Sequence, residues 1–321
     1  MIEHSAVVMT DGVRLHVETS GPVDAAATVI LLHGWCQDRR TWEHQVSALA
    51  GLGRKAPRVV AFDIRGHGRS DATDIGSATL DRLGDDLAEV IARYAPEGPL
   101  VLAGHSMGGM AVMEYAHRRP EEFATRVAGL LLVSTTAEGH AHTRYGLPPQ
   151  VATLLRAGET LGAGLLARSG AWRPHRAVLP VLRPALRWLL FGDECAETAM
   201  LTTMRGFGRA PLNSIGGFRA AVGAQQRLDT LAAIGPVPSV VLVGDRDRLT
   251  PRACAESIAG ALPDAELTVL AGAGHMLPLE RPEAVADALT GIVRRVLRDV
   301  KRARKNEVRR MSAATRCRRA A

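Results

Sequence analysis

Short apolar, β-branched runs alternate along the chain with amphipathic segments at helical spacing. The apolar runs lie at 28–32, 58–62, 99–103, 127–133 and 238–243, with a weaker run at 266–270. Continuous apolar runs of this length are typical of strands that are buried on both faces, as in parallel sheets. Leu80, Leu83 and Leu87 illustrate the helical spacing between two of these runs. The alternation predicts a parallel sheet with helices on both faces.

The pattern changes on either side of this regular part. Residues 5–20 alternate apolar and polar positions around a turn at 10–12, which predicts two half-buried strands and a total of eight. Residues 138–229 have no strand pattern, and their helical spacing is interrupted by prolines. About 90 residues are too many for a plain loop. We therefore assign 1–137 and 230–300 to an α/β core, and 138–229 to an inserted helical cap or lid.

Charge is distributed unevenly along the 321 residues, which carry a net charge of +7. Nine Lys and Arg residues lie in 301–321 beside the single acidic residue Glu307, so the rest of the chain has a net charge of −1. The core is therefore not expected to bind nucleic acid. The basic tail at 301–321 has no periodic apolar face, and we expect it to be disordered and to contact anionic surfaces only weakly.

Composition excludes several classes of protein. With 46% hydrophobic residues, the chain has enough apolar side chains for a core. It has no apolar stretch of the ~20 residues that a membrane helix needs, and no signal-peptide pattern, so the expected location is the cytoplasm. The four cysteines are scattered without a C-x-x-C pair, and no G-x-G-x-x-G follows the first strand. We predict no metal and no cofactor.

The motif Gly104-His105-Ser106-Met107-Gly108 lies between a predicted buried strand and a helical pattern. G-x-S-x-G in this context is typical of a sharp strand-to-helix turn that raises a serine above the sheet. Glycine is needed on both sides, because a Cβ atom would crowd so tight a turn. Ser106 is therefore the candidate nucleophile.

A serine hydroxyl needs a general base, and the base needs a carboxylate that orients it. Asp245 and Asp247 follow one predicted buried strand, and His275 follows the last one. The carboxyl ends of parallel strands meet at one edge of the sheet, so we expect these side chains to lie near Ser106. The residues alone leave both aspartates open as the acid.

Five motifs in this order resemble those of serine hydrolases of the α/β-hydrolase fold. They are His33-Gly34-Trp35, Asp63 to Ser70, Gly104 to Gly109, Gly244 to Asp247, and Gly274-His275. The resemblance covers nearly the whole chain outside the predicted cap and tail. It implies a mostly parallel eight-stranded sheet with helices on both faces and an inserted helical cap.

The resemblance also implies a role for each matching residue. Ser106 would be the nucleophile and His275 the general base and then acid. The family spacing favours Asp247 over Asp245 as the residue that orients the histidine. Such a triad cleaves a substrate through a covalent acyl-enzyme intermediate.

Neighbouring residues complete the expected site. The backbone N–H groups of Trp35 and Met107 would form the oxyanion hole. The side chains of Trp35, His105 and Met276 are expected to line the substrate pocket. Serine at the nucleophile position argues against dehalogenases and epoxide hydrolases, whose reactions need a carboxylate there.

The expected activity is hydrolysis of a lipophilic carboxylic ester with a small to medium acyl group. Because the same motifs occur in other hydrolases, carbon–carbon bond hydrolysis, lactone hydrolysis and cofactor-free perhydrolysis remain alternatives. A more remote alternative is a ligand-binding receptor that keeps the fold without catalysis. The expected partner is a small-molecule ester.

Overall fold

Eight strands lie at the positions that the apolar pattern predicts. The structure, a computed structural model, describes residues 2–173 and 179–320. Its strands are β1 (Glu3–Val8), β2 (Arg14–Ser20), β3 (Thr28–Leu32), β4 (Arg58–Phe62), β5 (Leu100–His105), β6 (Val127–Val133), β7 (Ser239–Gly244) and β8 (Ala265–Leu270). They form one sheet in the order β1-β2-β4-β3-β5-β6-β7-β8. The β1–β2 and β2–β4 pairs are antiparallel and the others are parallel, so the predicted sheet is confirmed.

Twelve α-helices are present in the described residues. They are α1 (Glu43–Ala50), α2 (Leu80–Tyr94), α3 (Met107–Arg118), α4 (Pro120–Arg126), α5 (Pro149–Ala167), α6 (Leu179–Leu190), α7 (Glu197–Arg209), α8 (Leu212–Gly223), α9 (Leu228–Ala233), α10 (Arg252–Ala261), α11 (Leu277–Glu280) and α12 (Pro282–Ala320). Short 3-10 helices cover Arg39–Trp42 and Gly53–Lys55.

Two apolar layers cover the sheet, one on each face. Ile30 and Leu32 of β3 pack in the layer that includes residues of α2, α3 and α10. Val29 and Leu31 point to the opposite face, where residues of α1 and α12 cover them. Successive side chains of a strand point to opposite faces, so a wholly apolar strand needs cover on both. The parallel strands run in the same direction, so their carboxyl ends all lie at one edge of the sheet.

Helices α5 to α9 interrupt the alternation of strands and helices between β6 and β7. Within the described part of 138–229 there is no strand, as predicted; 174–178 lie outside the described residues. Leu190 and Met200 pack with Met276, which follows β8 at the carboxyl edge of the sheet. These inserted helices therefore contact the loop that carries His275. Their division from the core as a separate cap stays a prediction.

The last helix extends into the basic tail. Helix α12 begins at Pro282 and continues through Ala320. The expectation that 301–321 is disordered stays a prediction. Arg, Lys, Ala and Glu are among the better helix formers. Extending a helix that is already anchored in the core avoids the cost of nucleation, so a buried face is not required. Ala321 lies outside the described residues.

Gly108 marks a close approach between α3 and the sheet. A Cβ atom at Gly108 would lie 2.3 Å from the backbone oxygen of Leu32. We expect Gly108→Ala to lower the free energy of unfolding by about 3 kcal/mol, measured by equilibrium urea denaturation. Gly260 in α10 is the matched control, because a Cβ there meets nothing within 4 Å. Gly260→Ala should raise stability by about 0.5–1 kcal/mol; equal effects of the two changes would contradict the crowding.

Candidate active site

Ser106 sits at the tight turn between β5 and α3. Its backbone has φ 52° and ψ −119°, and residues other than glycine rarely adopt a positive φ. The turn is held by two hydrogen bonds, from the Ser106 N–H to the oxygen of Val133 and from the Thr135 hydroxyl to the oxygen of Ser106. A Cβ at Gly104 would lie 2.5 Å from the nitrogen of Gly109. The glycine requirement predicted from the motif thus has a steric cause.

The predicted side chains Ser106, His275 and Asp247 are joined in series by two hydrogen-bond contacts. His275 Nε2 is 2.9 Å from Ser106 Oγ, and His275 Nδ1 is 2.9 Å from Asp247 Oδ2. With the ring proton on Nδ1, the imidazole donates to Asp247 and accepts from the Ser106 hydroxyl. This arrangement can take the serine proton as the oxygen attacks.

Asp247 is buried and accepts several hydrogen bonds besides that of the histidine. Its Oδ1 accepts from the N–H groups of Leu249 and Thr250, and its Oδ2 accepts from the Thr250 hydroxyl at 2.8 Å. Burial favours a higher pKa for Asp247, but His275 and these donors outweigh it and bring the pKa below its ordinary value. Asp247 is therefore a carboxylate at neutral pH.

The rival acid does not reach the histidine. Asp245 is part-exposed, and its Oδ1 accepts from the N–H of Gly272 at 2.8 Å. The structure thus brings Asp247, and not Asp245, to His275. Thr250 lies just before Pro251, the N-cap residue of α10, and its hydroxyl donates to Asp247.

Two residues fix the backbone around His275. The Glu280 carboxylate accepts from the N–H groups of Gly274 and Met276, on either side of the histidine, and from Gly192 at 2.8 Å. His105 Nε2 is 2.9 Å from the backbone oxygen of His275 and donates to it. Burial, together with His275, lowers the pKa of His105 to about 3, so its ring is neutral. The sequence indicated His105, but no local signal marked Glu280.

The predicted oxyanion hole lies beside the serine. A Cβ at Gly34 would be 3.2 Å from Ser106 Cβ, which places the start of the Trp35 loop against the nucleophile. Among the described residues, no acceptor is hydrogen-bonded to the N–H of Trp35 or of Met107. His33 holds this loop, since its Nδ1 donates to the oxygen of Gly34 and its Nε2 accepts from the N–H of Ile64, just beyond β4. That these two N–H groups form an oxyanion hole stays a prediction.

Ser106 and His275 line a cavity of about 390 Å³. The predicted pocket residues Trp35, His105 and Met276 all line it. Most of the remaining lining is apolar and comes from α3 and the inserted helices, including Met110, Leu166, Leu186, Leu189, Leu190, Phe207, Ile215 and Val222. The site can therefore hold a small lipophilic molecule against the serine.

A second cluster, of metal-ligating side chains, lies on the outer strands β1 and β2. The ligand atoms of His4, His16 and Glu18 lie within 4.8 Å of one another. The guanidinium of Arg39 pairs with the same Glu18 carboxylate. Its fixed positive charge opposes a cation, and the cluster does not line the serine cavity.

Comparison with known proteins shows the family of this chain. The profile of the alpha/beta hydrolase family matches residues 29–288. The chain belongs to the alpha/beta hydrolase family. The match spans both the part before the inserted helices and the part after them, so the motif resemblance is confirmed.

Other alpha/beta hydrolases resemble this one over most of its length. RutD of Variovorax paradoxus, a candidate carbamate hydrolase, is 30% identical over 81% of this chain and 89% of its own length. The monoacylglycerol lipase of Mycolicibacterium smegmatis is 27% identical over 82% of this chain and 86% of its own. A thermophilic esterase from Thermogutta terrifontis superposes with a TM-score of 0.70 at 26% identity, covering 92% of this chain and 99% of the esterase. None of the described helices of this hydrolase has the length and apolar character to cross a membrane.

Proposed function

We propose that this alpha/beta hydrolase is a serine esterase that cleaves a lipophilic carboxylic ester. The observation that carries the proposal is the continuous contact from Ser106 through His275 to Asp247, opening into an apolar cavity. The likeness to an esterase and to a monoacylglycerol lipase supports ester chemistry.

The reaction follows from the positions of these groups. Ser106 Oγ attacks the ester carbonyl carbon as its proton passes to His275 Nε2. The N–H groups of Trp35 and Met107 donate to the resulting oxyanion, a type of contact that is worth about 3–4 kcal/mol per donor. His275 then gives the proton to the departing alcohol. Water repeats the sequence on the acyl-serine and releases the acid.

The lining favours an uncharged acyl chain. Apolar side chains, among them Met110, Leu186, Leu190 and Phe207, enclose the cavity together with Trp35. Each buried methylene contributes about 0.8 kcal/mol on transfer from water. A cavity of about 390 Å³ sets an upper limit on the length of chain that gains this energy.

A series of p-nitrophenyl esters tests this preference. From acetate to butyrate we expect kcat/KM to rise roughly 10-fold, because two more methylenes are buried in the transition state. The rise in kcat/KM should end at the chain length that fills the cavity. Octanoate and longer esters measure where it ends.

The same preparation should react with a fluorophosphonate, and peptide mass spectrometry should find the label on Ser106. A flat chain-length profile, or a preference for charged acyl groups, would contradict the lipophilic pocket. Labelling of another serine would contradict the assigned nucleophile.

A further inference from the structure

A cluster of hydrogen-bonded polar side chains lines the apolar cavity, and the ester reaction does not use it. The side chains of His140, Tyr145, Glu159 and Arg219 line the same cavity as Ser106. All four belong to the segment between β6 and β7: Glu159 lies on α5, Arg219 on α8, and the other two in the loop before α5. We call them the polar cluster.

Direct hydrogen bonds join the members of the polar cluster. Glu159 Oε2 accepts from the Tyr145 hydroxyl and from Arg219 Nη2, each at 2.7 Å. Arg219 Nη1 donates to His140 Nε2. The Arg219 side chain is only 8% exposed and the Glu159 side chain 30%. Removing such an ion pair even partly from water is seldom better for stability than apolar residues of similar size. Its presence in an apolar pocket therefore points to recognition.

The polar cluster keeps unused hydrogen-bonding groups of both kinds. Both bonds to Glu159 reach Oε2, so Oε1 has no donor among the described residues. His140 accepts at Nε2 and so carries its proton on Nδ1, for which the described residues offer no acceptor. Burial and then Arg219 lower the pKa of His140 to about 4, so the ring is neutral at pH 7.

The charges within the polar cluster cancel. Arg219 and Glu159 form an ion pair, and His140 is neutral. A carboxylate entering the cavity would meet Glu159, and an ammonium group would meet Arg219. A neutral group that both donates and accepts, such as a hydroxyl or an amide, satisfies the free acceptor and the free donor together.

We infer that the substrate is a lipophilic ester with a neutral hydroxyl or carboxamide group, separated by an apolar spacer from the reacting carbonyl. Glu159 and His140, both held by Arg219, bind this group. The inference rests on the proposed function. It makes the polar cluster the determinant of specificity at the end of an otherwise apolar pocket. Since hydroxyl and amide share this chemistry, the experiment compares them.

The test uses p-nitrophenyl hexanoates and octanoates whose ω-end is methyl, hydroxyl, carboxamide, carboxylate or ammonium. For the wild-type protein, kcat/KM should be about 10-fold higher for the better neutral polar end than for the methyl end. Glu159→Gln leaves the Arg219 charge unbalanced, so the preference should move to the ω-carboxylate ester. Arg219→Gln should move it to the ω-ammonium ester. This reciprocal change would not follow from a purely structural ion pair.

Two control variants separate recognition from folding. Glu256→Gln makes the same change in an exposed ion pair on α10 and should leave the order of substrates unchanged. Leu189→Ala, in the apolar lining, should lower kcat/KM for all five ends by a similar factor. Thermal melting identifies any variant that does not fold. If either Glu159→Gln or Arg219→Gln fails to fold, the substrate preference of the other variant tests the inference.

The outcomes distinguish this inference from the proposed function. Wild-type turnover of the methyl-ended ester without discrimination among the five ends would overturn the inference and leave the esterase proposal standing. Uniform loss of activity in Glu159→Gln and Arg219→Gln, with no change of preference, would also overturn it. Failure to hydrolyse any ester would overturn both.

Discussion

Ser106→Ala is expected to lower kcat/KM for ester hydrolysis by about 10⁶-fold, because no other group in the contact chain can form the acyl-enzyme. Alanine keeps the Cβ atom in the same strained turn at φ 52°, so the fold should be unchanged. The change removes only the hydroxyl, 2.9 Å from His275. Steady-state kinetics on p-nitrophenyl butyrate and loss of fluorophosphonate labelling measure the effect.

Ser134→Ala is the matched control. Ser134 is also buried, also has a positive φ of 45°, and its hydroxyl has no hydrogen-bond partner in the part of the chain that the structure describes. We expect its kcat/KM to stay within about 2-fold of wild type, as is usual for a change that removes no used contact. Comparable losses in the two variants would mean that Ser106 acts through folding rather than chemistry.

Asp247→Asn should lower kcat by about 10⁴-fold, the size of the equivalent change in serine proteases. The reason lies in the hydrogen bonds of the side chain. Two backbone N–H groups, from Leu249 and Thr250, donate to Oδ1 and will hold the asparagine oxygen there. The amide NH₂ then takes the place of Oδ2 and donates to His275 Nδ1. The ring proton moves to Nε2, which can no longer accept from Ser106.

Asp245→Asn is the control for this prediction, because it makes the same change two residues away. Asp245 contacts Gly272 and not His275, so activity should stay within about 2-fold of wild type. Pre-steady-state bursts would locate the loss at acylation in Asp247→Asn. A larger loss in Asp245→Asn than in Asp247→Asn would reverse the assignment of the acid.

The fold could be predicted closely, because its signals are local. Apolar runs marked six of the eight strands, an alternation of apolar and polar positions marked the other two, and glycines marked the turn of Ser106. The tail shows the limit of such patterns: its lack of an apolar face gives no sign of a helix, and the structure extends α12 through Ala320. The pattern shows whether a segment can be buried. It does not show whether a helix that begins in the core extends beyond it.

The candidate site likewise contains residues that could be predicted from the sequence and residues that could not. Ser106, Asp247 and His275 each follow a strand, so their common edge could be read from the order of elements. Glu280 was missed because it is an ordinary acidic residue in a short helix.

Residue types and their local order were sufficient to determine the sheet, the turn of the nucleophile and the family, since strand burial and turn sterics depend on neighbours in the chain. Packing settled which aspartate meets His275, what holds its loop, and that Glu159 and Arg219 pair in the cavity. Those contacts join residues far apart in sequence, such as His105 and His275, separated by 170 positions. Their partners are chosen by how helices and loops fit together in space, and no short pattern records that fit.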